Sequence, residues 1–288
     1  MNKGFVLSFS AVLLIIVLVM FAVFYSGKNI REEQNILGMY SIEKAGFVAD
    51  DIESDFNRLL ETSVDVNKGV SFTELRFRDK LPADINKMQL IDLKNFIDGN
   101  YSVQQNASIN LDINKLIDGN TELRFSNNLQ YDYNYGVVNS VFFRNYLGDT
   151  NIISYVIDIN INDTSIAVIP WTWNPAGDIN VTLRFTDYNV SNKVSYTGIL
   201  ESGVENIYQW NYSGIAGDSF YIRVGGLETN KKALQLINSI DDPNSVAVID
   251  FNALMPTSSG NLIWYYDADL NYVQSDVSVN RKIELGRA

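Results

Sequence analysis

Residues 155–162 read YVIDININ, and this stretch decides the fold class of most of the chain. Its apolar residues Tyr155, Ile157, Ile159 and Ile161 alternate with polar ones, which is the period of a strand that buries one face. The same alternation recurs at residues 109–114, 131–135, 179–185, 220–224 and 277–285. Because no regular helical pattern separates these segments, they predict an antiparallel β-sandwich-like domain over residues 65–288.

Clusters of turn-forming residues separate the predicted strands, at residues 118–120, 175–178 and 258–261. If the β-rich region divides into two subdomains, the cluster near residue 175 is the predicted boundary. Short sequence echoes also occur, with TELRF at 73–77 returning at 121–125. Since no sustained period accompanies them, we interpret these echoes as similar strands and not as a repeat array.

The segment from Phe5 to Tyr25 reads FVLSFSAVLLIIVLVMFAVFY and contains no charged residue. A helix of this length measures about 31 Å, close to the roughly 30 Å hydrocarbon core of a bilayer. It is longer than the apolar core of a cleaved secretory signal, and no good small-x-small cleavage site follows it. The sequence therefore predicts a transmembrane helix over residues 5–26.

Beyond this segment the apolar residues thin to a stripe, which predicts an amphipathic helix over residues 27–64. Its members are spaced mostly by three or four positions and are Ile36, Tyr40, Phe47, Val48, Ile52, Phe56, Leu59 and Leu60. No proline precedes Pro82, so one helix can run from Phe5 to about Leu60. We expect its second part to pack against the following domain or against neighbouring copies of the chain.

A short helix is predicted between the long helix and most of the strands. Asp84 is typical of an N-cap residue, and Asp98-Gly99 closes the segment. Together the patterns predict an α+β fold, with a long N-terminal transmembrane and amphipathic helix followed by an antiparallel β-sandwich-like domain.

The composition excludes several classes of function. A net charge of -12, with Lys and Arg scattered along the chain, leaves no basic surface for phosphates, so we expect no nucleic-acid partner. The chain contains neither Cys nor His, which excludes disulfides, thiolate and imidazole metal ligands, and Ser-His-Asp or Cys-His catalysis. No pair of carboxylates stands out as an acid/base couple. We therefore expect no cofactor and no enzymatic activity.

Residues 267–271, DADLN, have the opening spacing of a calcium-binding loop. Tyr272 stands where such a loop needs Gly, and Ser278 stands where it needs Glu. We interpret the stretch as the polar edge of a strand and predict no metal site.

Aromatic residues and Asn-x-Ser/Thr sequons are the candidate binding and modification sites. Trp171, Trp173 and Trp264 are candidates for stacking on sugar rings, although the aromatic residues of β domains more often lie in the core. Sequons for N-glycosylation occur at Asn100, Asn106, Asn162, Asn180, Asn189 and Asn211.

The opening Met1-Asn2-Lys3-Gly4-Phe5 is a very short charged leader directly before an unbroken apolar helix. In this respect the chain resembles archaeal type IV pilins and pilin-like surface proteins. The resemblance implies that a prepilin peptidase cuts after Lys3-Gly4, so that the mature chain begins at Phe5. It also implies that the helix is held by membrane lipid and later forms a filament core, while a β-rich head faces outward. Many pilins carry Glu five residues into the mature chain, where this chain has Phe9.

These observations lead to one preferred function and one alternative. The preferred function is a non-enzymatic, membrane-anchored cell-surface protein, a structural subunit of an archaeal filament that associates through its N-terminal helix with copies of itself or with other pilin-like subunits. The alternative is a solitary signal-anchored adhesin or sugar-binding module. In both cases the C-terminal domain is expected outside the cell, on the cell surface or on a pilus.

Overall fold

The structure is a computed structural model that describes residues 3–59, 63–82, 87–134, 139–149, 151–188, 193–212, 218–227, 230–242, 244–257, 260–275 and 277–288. In the first helix, side chains are described from Ile15 onward, apart from residues 30, 31, 33–35 and 37.

The described helices lie in the first part of the chain. They are α1 (Lys3–Leu59), α2 (Lys87–Asn95), a π-helix (Phe96–Tyr101), α3 (Ser102–Gln105) and α4 (Asn114–Ile117). The short predicted helix corresponds to α2, which continues into the π-helix where Asp98-Gly99 was expected to end it. Its predicted N-cap, Asp84, lies outside the described residues.

Strands make up most of the rest. In chain order they are β1 (Ser63–Lys68), β2 (Phe72–Leu81), β3 (Ser108–Asp112), β4 (Asn120–Phe125), β5 (Leu129–Asn134), β6 (Asn139–Asn145), β7 (Ser154–Ile161), β8 (Ser165–Ile169), β9 (Ile179–Thr186), β10 (Val194–Leu200), β11 (Glu205–Tyr212), β12 (Ser219–Leu227), β13 (Asn230–Asn238), β14 (Ala247–Pro256), β15 (Ile263–Gln274) and β16 (Val277–Arg287). Every segment with a period of two in the sequence overlaps a strand, although segment 109–114 extends past the end of β3 to the first residue of α4.

The strands form two sheets. One has six strands in the order β1-β2-β14-β7-β9-β10; the other has ten and runs β16-β15-β4-β5-β6-β13-β12-β11-β8, with β3 pairing β15 off this path. Both sheets combine strands from before and after residue 175. All the described pairs are antiparallel except β7 with β9, which is parallel, so the purely antiparallel arrangement expected from the sequence is corrected at this pair.

Aromatic side chains fill the space between the two sheets. Phe77 on β2 stacks on Tyr131 of β5 with ring centroids 4.8 Å apart, and on Phe251 of β14 at 4.7 Å. Further along, Phe185 of β9 stacks on Trp210 of β11 at 3.9 Å. Phe77 and Phe251 lie on neighbouring strands of the same sheet, whereas the contacts of Phe77 with Tyr131 and of Phe185 with Trp210 cross the layer. Rings of this size bury large apolar areas, so these two contacts hold the sheets face to face.

The second part of α1 packs on the sheet that ends in β15 and β16. Its buried side chains are Ala45, Val48, Ala49, Ile52 and Phe56. Their spacing of three and four positions forms one face of the helix, which is why the helix can lie along the sheet.

The fold class and the membrane anchor expected from the sequence are both wrong. The protein is mostly β-sheet, with 53% strand and 26% helix, so the α+β prediction is corrected. Among the residues whose side chains are described, no helix is both long enough and apolar enough to cross a membrane, which corrects the predicted transmembrane helix and membrane-anchored location. In the part of α1 whose side chains are described, the apolar run Ile15–Tyr25 is followed by polar and charged residues from Ser26 onward.

Candidate assembly surface on the first helix

The first part of α1 exposes apolar side chains. Between Ile15 and Tyr25 the exposed fractions of the large apolar side chains run from 43% at Val17 to 68% at Met20, Val23 and Phe24. Successive helical residues are rotated by about 100°, so consecutive exposed residues reach every side of the helix. This segment therefore presents apolar surface in all directions, which is unusual for a single helix in water.

The apolar stripe of the following segment divides between two environments. Ile36, Tyr40 and Phe47 are exposed, with Phe47 at 74%. In contrast, Ile52 and Phe56 are buried against the chain's own sheet, at 3% and 0%. The division occurs where α1 meets the β-sheet near Ala45, so only the part before that residue and the outward face after it remain open to another molecule.

A groove of about 530 Å³ runs beside α1 where the helix passes the π-helix and α3. Polar contacts hold its two walls together: Lys44 Nζ donates to the Gln105 carbonyl at 2.7 Å, and Tyr101 Oη donates to Asp51 Oδ2 at 2.8 Å. Burial, together with the Asp51 carboxylate, raises the pKa of Tyr101 to about 12, so its hydroxyl stays protonated and keeps donating. Phe47 and Tyr40 line the groove with exposed rings.

Charged residues fix the opposite side of α1 to β16. Arg281 Nη2 donates to Asp50 Oδ1 at 2.8 Å and also pairs with Glu53. Burial raises the pKa of Glu53, an effect that the neighbouring Arg281 guanidinium partly offsets. In addition, Asn57 Nδ2 donates to the Glu284 carbonyl at 3.3 Å. The docked part of α1 is thus held by polar contacts as well as by its apolar face, and its direction relative to the sheets is fixed.

The acidic residues with partial calcium-loop spacing in the sequence are ion-paired in the structure. Within the described ranges, no group of three or more Asp, Glu, His or Cys side chains is placed to hold a metal ion. Asp267 and Asp269, from the stretch with partial calcium-loop spacing, lie on β15, and both accept hydrogen bonds from Lys282, at 2.8 and 3.1 Å. The carboxylate oxygens of both residues therefore take part in ion pairs with Lys282.

Two of the three tryptophans proposed to stack on sugars touch each other, since the rings of Trp171 and Trp173 meet edge to face with centroids 5.4 Å apart. Trp171 packs against Tyr208 at 5.2 Å and is 4% exposed, and Trp264 packs against Phe125 at 6.3 Å and is 7% exposed. Trp173 is half-buried and lies over Gly198, where a Cβ atom would overlap its ring. Trp171 and Trp264 are thus buried, whereas Trp173 is half-buried beside Trp171.

The predicted sequons differ in how accessible their amide nitrogens are. The side chains of Asn100, Asn106, Asn162 and Asn180 are exposed, and Asn211 is half-buried. However, Asn162 Nδ2 donates to the Asn244 carbonyl at 2.7 Å, which occupies the atom that a glycan would need.

Two of the predicted sequence sites lie at the limits of what the structure describes. Asn189 falls outside the described residues. At the predicted leader cleavage site, Lys3, Gly4 and Phe5 belong to α1, whereas Met1 and Asn2 lie outside the described residues.

Sequence reasoning missed the groove and the division of the apolar stripe. The groove depends on a π-helix, and the sequence 96–101 carries no pattern that distinguishes it from an ordinary helix end. The exposed ring of Phe47 follows the same apolar pattern as the buried ring of Phe56, so only the position of β15 and β16 separates them.

Comparison with known proteins adds no relative. No protein-family model matches the chain, and searches of curated proteins and of solved structures give no significant match.

Proposed function

We propose that this protein is a non-enzymatic structural subunit that assembles with copies of itself, through the exposed apolar part of α1, into a filament of the archaeal type IV pilin kind. In this proposal the segment Ile15–Tyr25 of each copy packs against the same segment of its neighbours. The two-sheet β domain then lies around the helical core and forms the outer surface.

The exposed apolar segment of α1 is the observation that carries the proposal. Burying a side chain such as Leu18 or Phe24 contributes roughly 1.5 to 3 kcal/mol relative to leaving it in water. Among the α1 residues whose side chains are described, the first one buried by the chain itself is Ala45. Neighbouring copies supply matching apolar surface on the same segment, so the contact buries both partners' side chains at once.

The distribution of this surface favours more than two copies. A helix that is apolar on one face packs against one partner, whereas a helix that is apolar on every face is typically surrounded. Leu18 and Met20 lie about 200° apart around the helix axis, and they are 59% and 68% exposed. A single neighbour leaves one of them in water, while a bundle covers both.

The leader supports the pilin-like form of this assembly. Cleavage by a prepilin peptidase between Gly4 and Phe5 would remove the charged leader and leave the apolar helix with a free amino terminus. The proposal therefore includes this peptidase as a processing partner, and it predicts a mature chain that begins at Phe5.

Cysteine cross-linking tests the proposal, because the native chain contains no Cys and each introduced thiol is unique. We expect Leu18→Cys and Phe47→Cys to form disulfide-linked dimers on oxidation of the full chain. The double variant Leu18→Cys/Met20→Cys should form a ladder of higher species, because each subunit touches neighbours on two sides. Val70→Cys is the control, since Val70 is fully exposed on a turn of the β domain.

The outcomes separate assembly from chance collision. No dimers from Leu18→Cys in a folded, correctly processed chain would overturn the proposal. Dimers from the double variant without a ladder would reduce the assembly to a pair. Mass spectrometry of the purified protein identifies the first residue, and a chain that keeps Lys3-Gly4 would contradict the pilin-like processing.

A further inference from the structure

Strand β10 forms one edge of the six-stranded sheet and carries neither a charged residue nor a proline along its length. It pairs with β9 over its whole length from Val194 to Leu200, without a register shift. Its sequence, VSYTGIL, contains no charged residue and no proline. Edge strands are normally guarded by lysines, prolines, bulges or a covering element, because their free backbone groups can pair with another chain.

The pairing of β9 determines which backbone groups of β10 point toward the open edge of the sheet. The Asn180 amide on β9 donates to the Ile153 carbonyl, away from β10, so the alternate residues Val181 and Leu183 bond to β10. Their opposite residues on β10 are Gly198 and Tyr196. Ser195 and Thr197 therefore direct their N–H and C=O groups toward the open edge, where no backbone partner for them occurs among the described residues.

One end of this open edge is already closed. The Asn174 amide donates to the Ile199 carbonyl at 3.0 Å, in the position that another strand would take. An added strand can therefore run beside Ser195 and Thr197 but has to end next to Gly198. This restriction sets where one end of any occupant must lie.

We propose that β10 pairs with β10 of a second copy, antiparallel and about a two-fold axis at Tyr196. In this register Ser195 of one copy lies opposite Thr197 of the other, and both residues already face the edge. Each such pair exchanges two N–H···O=C bonds, so the contact forms four. The two six-stranded sheets then join into one continuous sheet.

The strand is self-complementary in three ways. Ser195 and Thr197 lie symmetrically about Tyr196, so the outward groups of one copy meet the outward groups of the other. The residue opposite Ile199 is Lys193, the residue just before β10 begins, so the second strand ends where Asn174 blocks the edge. Finally, two copies of a chain with a net charge of -12 repel one another, and this uncharged strand lets them meet without opposing like charges.

Tyr196 gives the contact an apolar centre. Its side chain is 45% exposed, although it lies beside Trp173 at 6.5 Å and Tyr208 at 6.4 Å. On the two-fold axis the two Tyr196 residues face each other as a non-hydrogen-bonded pair, in which opposite side chains lie closest. The exposed part of each ring is therefore covered when the strands pair.

This contact goes beyond the helix-mediated assembly and does not depend on it. The helix contact uses the segment Ile15–Tyr25, whereas the edge contact uses the β domain alone. A filament that has both gains a second link between its outer domains.

Mixed-cysteine cross-linking of the full chain tests the register. Opposite residues in a hydrogen-bonded pair lie about 5.5 Å apart, within the range of a disulfide, whereas Ser195 and its own copy lie about 9 Å apart. We therefore expect a mixture of Ser195→Cys and Thr197→Cys chains to form disulfide dimers on oxidation. Each variant alone should form few, as should Ser195→Cys mixed with Thr182→Cys, which places the thiol on the same face one strand inward.

Two results would overturn the proposal: equal cross-linking in all these samples, or no cross-linking in the mixture of Ser195→Cys and Thr197→Cys chains. In either case the circular-dichroism spectra of the variants have to match that of the native chain. A second measurement uses Thr197→Pro with Thr197→Ala as its control, both carrying Leu18→Asp and Met20→Asp to remove the helix contact. Because the Thr197 amide faces the edge, proline removes no bond to β9. In sedimentation velocity we expect the alanine control to form dimers and the proline variant to stay monomeric. Two monomeric variants would contradict the edge contact and leave the helix proposal untouched.

Discussion

Phe56 on α1 and Tyr266 on β15 meet edge to face, with ring centroids 5.7 Å apart and planes at 81°. Both side chains are buried. This geometry places the positive edge of one ring against the negative face of the other, an arrangement that adds roughly 0.5 to 1.5 kcal/mol to the burial of the rings. The pair ties the end of the first helix to one of the last strands.

Replacing Phe56 with Ala should therefore release the docked part of α1. We expect the free energy of unfolding to fall by about 3 to 5 kcal/mol, because the change removes a buried ring and leaves a cavity. Phe47→Ala is the matched control on the same helix. Because 74% of the Phe47 side chain is exposed, we expect this change to alter the free energy of unfolding by no more than about 0.5 kcal/mol. Urea unfolding monitored by circular dichroism measures both, and equal losses would show that Phe56 has no special role.

Acid should weaken the ion pairs around Asp267. Partial burial raises the pKa of this carboxyl, but hydrogen bonds from Lys115 and Lys282 outweigh that effect and lower the pKa to about 2 from its ordinary value of 3.8. Since the folded pKa is the lower one, the stabilisation is fully present above pH 3.8 and is lost as the pH falls toward 2. We expect Asp267→Asn to be less stable than the native chain at pH 7 and nearly equal to it at pH 2.

Unfolding of the two proteins at a series of pH values checks this expectation. The exposed Asp92→Asn change serves as control and should leave a small, constant difference. A difference for Asp267→Asn that grows on acidification would have the opposite sign and would refute the interpretation.

The indole ring of Trp173 leaves no room for a side chain at Gly198 on β10. A Cβ atom added at Gly198 would overlap the indole ring, so Gly198→Ala forces the ring to move. We expect a loss of about 1 to 3 kcal/mol in stability and a shift in tryptophan fluorescence as the ring becomes more exposed. Gly203→Ala, where the added Cβ meets nothing within 4 Å, should show neither effect. If Gly198→Ala destabilises the Trp173→Ala variant as much as it destabilises the native chain, overlap with the Trp173 ring is not the cause of the loss in stability.

Charge in the exposed segment of α1 should disperse the proposed assembly. Leu18→Asp with Met20→Asp places carboxylates on opposite sides of the helix, where packing of neighbours would bury them without a counter-charge. We expect the variant to remain in the supernatant under centrifugation conditions that pellet the native assembly. Leu18→Ala with Met20→Ala is the control and should still pellet. Pelleting of the Asp variant would place the contact elsewhere on the chain.

The sequence predicted the strands well because a period of two reports burial on one face directly. Residues 155–161 and 179–185 alternate, and they form β7 and β9. The parallel pairing of these two strands could not be predicted from the sequence, because the alternation of apolar and polar residues indicates which face is buried and not which strand is the neighbour. Sheet order depends on contacts between distant residues, such as Phe77 with Phe251, that no local pattern encodes.

The candidate site was predicted only in part, for a similar reason. The apolar character of α1 was evident in the sequence, and so was its continuation past Gly27. Whether an apolar residue is covered depends on what lies beside it, and Phe47 and Phe56 differ only in that respect. The aromatic residues Trp171 and Trp264 were candidates for ligand contact, yet both side chains are buried.

The docking of α1 on β16 also sets an order of events during synthesis. Asp50 and Arg281, which join the helix to the last strand, are 231 residues apart in the chain. At ribosomal rates the helix therefore waits on the order of tens of seconds before its binding surface exists. Throughout that time both Ile15–Tyr25 and the face containing Ile52 and Phe56 are uncovered on the nascent chain. A chaperone that binds apolar segments as they leave the ribosome would keep these surfaces from associating prematurely.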